Sequence, residues 1–498
     1  MQEKAWVKIE FLSNELERIE MARVDLPSGP QRSELDAEYI AKARTRNSLV
    51  PISSLPIELL IEIFTIGSRV PIDPNNLHAR FEVLVSHVCH LWRDTALNTP
   101  VLWTRVHRAM CQEEIGSIAA YLERSKDVPI DLAIEIASDD QDWAIEETEY
   151  EDDSELAPVY QLLRPHIHRC EVIRIRSFST REDRDVRRLL ITAPFMPSLR
   201  YLYVSSNTAY HDEPHPWPIL GAGAPSLRCV SLPICGIFFL SPPWTAVTTL
   251  HLSLALIPSS AQPALQQMLS HETPFLLHLC LEYTQDLDHT LHVNTITTLY
   301  IQLSGSVLGC RVLSMISSTS LYELTVVLES ANDNVEAEFL LDSVQLLAFP
   351  SLRRLRLSPS AQGIDLITIR ALSRALPSLT NITLLDLFDI PQPIRIETSR
   401  NFLRNVASSQ DGRALWPHLQ EMGVETTLPA SDLQDFFTRR AGIGAPVPYL
   451  LVLEEDIRTQ QDAMASMQPL ITIGRVTQDT PFPLPEWIPP LYGNKRSA

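Results

Sequence analysis

Two places in the sequence pair residue types that do chemistry. His271-Glu272 opens the pattern of a zinc-protease helix, in which two histidines one turn apart hold the metal and the glutamate activates water. The chain continues Thr273-Pro274-Phe275, so the second histidine is absent. His166 and His168 alternate on what reads as a strand or turn, and two imidazoles without a third ligand make no metal site; a solvated face explains them. No glycine loop with lysine cradles a phosphate, no nucleophile elbow is present, and no cysteine pair has zinc spacing. The 15 glycines also leave little material for a loop-built nucleotide site. The expectation is a chain with no catalytic residue, no metal and no cofactor, acting by binding and not as an enzyme.

Composition points the same way. With 498 residues, 45% of them hydrophobic, the chain can bury large cores in more than one unit. A formal charge of -20 and a pI near 5.1 argue against gripping a nucleic-acid backbone, which takes clustered Lys and Arg. Seven cysteines, an odd number at irregular positions, form neither a disulfide framework nor a zinc set, which fits a reducing compartment. The start, MQEKAWVKIEF, lacks a basic, apolar and cleavable signal, and no stretch is long enough to span a membrane, so cytosol or nucleus is expected.

The stretch Ile52 to Val106 organises the chain. Pro56 suits a first helical position and Glu58 the positive end of the helix dipole. Behind them Ile57, Leu59, Leu60, Ile61, Ile63, Phe64 and Ile66 occupy almost every side of the helix. A helix that apolar must be buried on more than one side, so it needs two partners. Phe81, Leu84, Val85, Val88, Cys89 and Trp92 recur at helical spacing and predict one further helix as the first partner. The second is either another protein or the rest of this chain. The block Leu55-Pro56-x-Glu58-Leu59-Leu60-x-x-Ile63-Phe64, then Val88-Cys89-x-x-Trp92-Arg93-x-x-Ala96 and Leu102-Trp103, resembles the F-box, in particular the large fungal family of F-box-like proteins. The resemblance implies a small helical bundle that binds the Skp-type adaptor of cullin–RING ubiquitin ligases through Leu55, Pro56, Leu59, Leu60, Ile63 and Phe64, with Val88 and Trp92 from the second helix. Ahead of it, Ile9, Leu12, Leu16 and Ile19 predict an amphipathic helix ended by Pro27, Gly29 and Pro30, and Ser33 to Arg46 a second helical piece. These pieces pack on the F-box or self-associate.

After Ser117 to Arg124, read as a helix, and Val128 to Ile136, read as a strand, an acidic run from Asp139 to Glu155 reads as a solvated, disordered insertion. Beyond it one pattern repeats: apolar, two variable, apolar, one variable, apolar. It starts at Leu199/Leu202/Val204 and recurs to Val447/Leu450/Val452, with Cys170/Ile173/Ile175 as an earlier member. Pro197, Pro225, Pro350, Pro377 and Pro417 each stand two residues before the first apolar position and mark helix-to-strand junctions. Fillers at Asp185 to Thr192, Ala264 to Ser270, Glu336 to Leu347, Ile367 to Leu376 and Ser431 to Arg440 supply the crossovers that parallel strands need. Stacked units of this kind build a core that none builds alone, and resemble an irregular leucine-rich-repeat horseshoe.

The expected fold is therefore α+β: residues 1–49 a helical segment, 50–108 the F-box, 109–137 a linker helix and strand, 138–158 the acidic insertion, 159–456 the irregular α/β leucine-rich-repeat solenoid and 457–498 a Pro-rich tail. The residues between the apolar strand positions point to the concave side, and Tyr201, Tyr203, His251, His278, Tyr300, Arg354 and Arg356 are the candidate ligand contacts. Tyr and Arg are frequent interface anchors, and the mixed charge favours a protein over an anionic polymer. The expected function is a substrate-receptor subunit of a cullin–RING ligase, with an unidentified protein target; the alternative is a non-degradative F-box and leucine-rich-repeat scaffold. Lysine occurs only at Lys4, Lys8, Lys42, Lys126 and Lys495. Either escape from self-modification or biased codon usage accounts for that scarcity.

Overall fold

The computed structural model describes residues 2–24, 26–69, 80–109, 115–136, 157–177, 188–206, 217–233, 240–253, 262–282, 291–293, 295–304, 316–329, 349–358, 366–385, 392–410, 413–424, 428–445, 449–452 and 473–475. The acidic run, most of the Pro-rich tail, the filler Glu336 to Leu347, most of Gly67 to Arg80, and Val447 of the last repeat lie outside these residues. The chain divides into two compact units, Met1–Ala133 with Leu484–Ala498, and Ile134–Pro483. The fold is α+β with a large parallel sheet. No helix among the described residues is long and apolar enough to cross a membrane.

The first unit begins with two helices, α1 Gln2–Val24 and α2 Pro30–Ser48, packed on each other. Leu12, Leu16 and Ile19 are buried, and the ion pairs Glu15–Lys42 at 2.7 Å and Arg23–Asp36 at 2.6 Å join the two helices. Pro30 begins α2 and does not merely end α1, because a first helical residue needs no N–H. Then come α3 Ile57–Ser68, α4 Phe81–Val88 and α5 His90–Leu97. The single helix expected over Phe81 to Trp92 is thus two. Cys89 breaks it with extended backbone (φ -159°, ψ 171°), and the Arg93 guanidinium donates to the Ser86 carbonyl across the break at 2.8 Å. The break leaves apolar spacing almost intact, so periodicity could not reveal it.

Phe64 is the hub of this bundle. Its ring meets Trp92 edge-on at 5.1 Å and Phe81 at 6.4 Å, arrangements that suit the aromatic quadrupole. Gly67 makes room for Phe81: a Cβ there would stand 2.2 Å from its Cζ. A second aromatic cluster follows around Trp103, fully buried, whose Nε1 donates to the Ala96 carbonyl at 2.8 Å. Its ring meets Tyr121 of α6 Ile115–Arg124 edge-on at 5.1 Å, and Arg124 lies over it. Tyr121 donates to Glu82 below the surface, and burial pushes its pKa up from the phenolic range. Strand β1 Arg105–Ala109 belongs to this unit, and β2 Ile130–Ile136 runs through the point in the chain, after Ala133, where the second unit begins.

The second unit is built on strands β3 Cys170–Ser177, β4 Tyr201–Ser206, β5 Cys229–Pro233, β6 Thr249–Ser253, β7 His278–Glu282, β8 Thr298–Ser304, β9 Glu323–Glu329, β10 Arg354–Ser358, β11 Asn381–Leu384, β12 Glu421–Val424, β13 Tyr449–Val452 and β14 Ile473–Arg475. They lie side by side in chain order, all parallel. Their register aligns the repeated apolar positions: Leu202 pairs with Val230, then come Leu250, Leu279, Leu299, Leu324, Leu355, Ile382, Met422 and Leu450. From Leu199 to Val424 every member of the triplets is at most 4% exposed. Helices fill the crossovers at Gln262–Gln267, Leu366–Ala375 and Ala430–Gly442, as the fillers predict. Another, Gln392–Val406, was not among them.

The prolines have a more specific job than ending helices. The N–H of Leu199, Leu227, Leu352, Leu379 and Leu419 donates to the carbonyl three residues earlier, at Met196, Ala224, Phe349, Leu376 and Trp416. Each proline is thus the second residue of a four-residue turn, where its fixed φ is already correct. Pro274 does the same between Thr273 and Leu276.

Candidate functional site

Two surfaces, one on each unit, carry the residues singled out by sequence. On α3 the apolar residues divide into two stripes. Leu60 and Phe64, one turn apart, are fully buried, while Leu59, Ile63 and Ile66 on another face are 51%, 43% and 57% exposed. Ile57 is exposed at the start of the helix, and Leu84 and Val88, one turn apart on α4, are exposed as well. Pro56 is exposed and caps α3, its carbonyl accepting the N–H groups of Leu59 and Leu60. Leu55 and Trp92 are half-buried. Of the eight residues that the resemblance assigns to an adaptor, Leu60 and Phe64 are therefore a correction. Their side chains are used in the unit's own core, because one face of a helix set against α4 and α5 must turn inward.

The demand for two partners is met in half. The inward stripe has its neighbours in the same unit, and the outward stripe meets solvent. Large adjoining apolar side chains in water mark interaction sites more often than isolated ones do.

On the second unit the register sorts the candidate contacts into two rows on the sheet face opposite the repeated apolar positions. One runs Tyr201, Cys229, Thr249, His278, Thr298, Glu323, Arg354, Asn381, Glu421. The other runs Arg174, Tyr203, Ser231, His251, Cys280, Tyr300, Thr325, Arg356, Thr383 and Gly423. All seven candidates share this face, as the alternation predicts, but they are not equally accessible. His251 and Tyr300 are each 4% exposed, and neighbouring Ser231, Cys280 and Thr325 are buried too. That corrects the expectation that they form an open binding row. Each stands between counterparts about 4.8 Å away on both neighbouring strands, so a central row is shielded by its own neighbours. Tyr201, Tyr203, His278 and Arg356 keep part of their surface, and Arg354 is exposed.

Around these residues is a charged cluster. Glu323 lies 3.9 Å from Arg354 and 3.7 Å from Arg356, one carboxylate between two guanidinium groups. Arg354 also stacks over the exposed ring of Tyr322, which the pattern missed because it precedes the strand. Arg174 lies over Tyr203 with its guanidinium 5.4 Å from the ring centre. Ser231 Oγ and His251 Nδ1 are 2.6 Å apart, the contact of a nucleophile and its base. Both residues are buried, and the contact links two neighbouring strands of the sheet. Among the described residues no group of three His, Cys, Asp or Glu could hold a metal ion.

His278 gives a measurable handle. Burial holds its pKa below the ordinary 6.5, against the opposing pull of Glu323, and its Nδ1 has no hydrogen-bond partner among the described residues. The folded state thus keeps a neutral imidazole, while the unfolded chain takes up a proton below that pH. The stabilisation is full above pH 6.5 and is lost as pH falls through that value towards the folded pKa. Urea midpoints of the second unit should fall between pH 7 and pH 5, and His278→Gln should flatten the dependence; His166, also lowered by burial, supplies a remainder.

No family model and no curated protein matches this chain.

Proposed function

We propose that the chain is a substrate-receptor subunit of a cullin–RING ubiquitin ligase, its first unit an F-box that docks a Skp-type adaptor. The observation that carries this reading is the second apolar stripe of α3, with Leu59, Ile63 and Ile66 in solvent on a helix whose other stripe is already buried. Leu55, Pro56 and Val88 add partly or fully exposed surface from the same resemblance. In this reading the in-register parallel strands form a leucine-rich-repeat-like solenoid, and the face bearing Tyr201, Tyr203, His278, Arg354 and Arg356 receives a target protein. Such a subunit breaks no bond itself. It raises the effective concentration of the target's lysines beside the ubiquitin-charged enzyme.

The test is binding of the purified chain to a Skp-type adaptor, comparing wild type with a Leu59→Asp, Ile63→Asp double variant. Both positions are exposed, so the Leu60 and Phe64 core is left intact and circular dichroism should be unchanged. With each anchor worth about 2 kcal/mol, the pair should weaken binding by roughly a thousandfold. A folded wild-type chain that does not bind, or a double variant that binds as well as wild type, would remove the adaptor from the reading.

A further inference from the structure

Six of the turns that lead into strands share one build, with proline second and the strand's first apolar residue fourth. The third residue is Ser198, Ser226, Ser351 or Ser378 in four of them, His418 in a fifth and Phe275 in the sixth. The turn therefore asks for no apolar side chain at this place, yet Phe275 stands there 64% exposed. The residue after the turn, just ahead of each strand, extends the backbone ladder. The N–H of Thr248 donates to the Arg228 carbonyl, that of Leu277 to Thr248, Thr297 to Leu277, Tyr322 to Thr297 and Arg353 to Tyr322. These residues thus stand side by side in that order, with Arg200 before them and Thr380 and Gln420 after. The row is polar except at Leu277 and the ring of Tyr322, which are 41% and 44% exposed. Phe275, Leu277 and Tyr322 therefore gather apolar surface ahead of three neighbouring strands, where the other repeats place polar residues. Packing does not account for them, since all three meet solvent.

Guanidinium groups flank this patch on both sides. Arg200 and Arg228 are exposed on one side; on the other stand half-buried Arg353 and exposed Arg354, whose guanidinium lies 5.6 Å from the centre of the Tyr322 ring. Glu171, 3.3 Å from Arg200, and Glu323, 3.9 Å from Arg354, answer part of that charge. Arg228 and Arg353 each use Nη1 on backbone carbonyls, Arg228 on Ala246 at 2.9 Å and Arg353 on Leu352 at 3.1 Å and Pro350 at 3.5 Å. A guanidinium carries five N–H donors, so these contacts do not exhaust either group. In a chain of net charge -20, an apolar patch set between arginines selects for carboxylates.

We propose that the edge where these strands begin docks an extended peptide segment of a partner protein, apolar in its middle and acidic at both ends. Five strand steps of about 4.8 Å separate Arg228 from Arg353, or about 24 Å, which about seven residues of extended chain span. The apolar middle lies on Phe275, Leu277 and Tyr322, and the carboxylates meet the arginines, whose planar forks suit them. This edge adjoins the sheet face assigned to a target above but is distinct from it, and the inference stands whether or not the first unit binds an adaptor.

The experiment selects displayed peptides of nine random residues on the immobilised full-length chain, then measures the selected peptides on purified variants by fluorescence anisotropy. Selected sequences should carry Asp or Glu towards both ends and large apolar residues between them. The triple variant Phe275→Ser, Leu277→Thr, Tyr322→Thr gives each position a residue that other repeats use at the same place. Its circular dichroism and urea midpoint should match wild type, and peptide binding should fall by about a hundredfold or more. The double variant Arg228→Gln, Arg353→Gln takes the residue found at position 420 of the same row; it should weaken binding by about tenfold, more at low salt than at high. The proposal is overturned if no peptide is selected, if the selected peptides lack acidic ends, or if they bind the triple variant as tightly as wild type. Phosphatidylserine vesicles that bind wild type but not the triple variant would give the patch to a membrane, and a wild-type dimer lost in the triple variant would give it to a second copy. Either result overturns the peptide.

Discussion

Phe64→Ala should cost the first unit about 3–5 kcal/mol, the range for deleting a large buried ring whose surroundings collapse only in part. Phe64 is fully buried, and its ring is the shared neighbour of Phe81 and Trp92. Removing it opens a cavity where α3, α4 and α5 meet. The control is the adjacent stripe: Leu59→Ala, at a side chain 51% exposed, should cost roughly 1 kcal/mol or less. Since the chain has two units, one global unfolding free energy would mix them. Amide exchange of the α3 peptide is the better measurement, and for Phe64→Ala it should accelerate by roughly a thousandfold, if exchange proceeds through opening of the whole unit. Equal effects at Phe64 and Leu59 would mean that the two stripes are not distinct, and the argument for an outward docking face would fall with them.

Arg440→Met should be the most damaging single change in the second unit. Arg440, on the helix Ala430–Gly442, is fully buried, and burial lowers its pKa to about 10. Its guanidinium donates to the carbonyls of Val406 at 3.3 Å, Leu415 at 3.2 Å and Trp416 at 2.9 Å. Val406 ends the helix Gln392–Val406, whose last carbonyls lack helical partners, and Trp416 holds φ at 47°, a strained value for a large side chain. One side chain thus joins a helix end, a strained turn and the helix behind them. Methionine fills much of the volume but leaves those carbonyls buried without this donor, at about 1–3 kcal/mol each, so a loss of about 4 kcal/mol is expected. Arg440→Lys keeps the charge and loses the planar fork, and should fall between wild type and Met. Urea unfolding of the second unit, followed by exchange in the 392–445 peptides, measures both variants. A methionine variant as stable as wild type would show that the carbonyls find other partners.

Much of the second unit was legible because its rule is short. Leucine-type residues at a fixed offset, introduced by proline, recur often enough that the strands could be placed within a residue or two, from Tyr201–Ser206 to Glu421–Val424. The register followed, since a slip of one residue would turn the whole apolar set to the other face. The first unit was legible in kind and less so in detail. α3 was read correctly as a helix, apolar on almost every side, but its division into two stripes and the break at Cys89 were not seen. Helical spacing on either side of one extended residue differs little from spacing along one helix.

The sequence by itself determined the parallel strand repeat and the presence of more apolar surface on α3 than one neighbour can cover, because both follow from local periodicity and from residue chemistry at fixed offsets. It could not decide which stripe of α3 turned inward. Leu60 and Phe64 look no different from Leu59 and Ile63 until α4 and α5 are packed against one side. Nor could it tell that Tyr203 and Arg356 keep surface while His251 and Tyr300, in the same row, are buried. Only tertiary structure settles that, since exposure depends on what neighbouring strands place beside a residue, and those neighbours are twenty or more positions away in the chain.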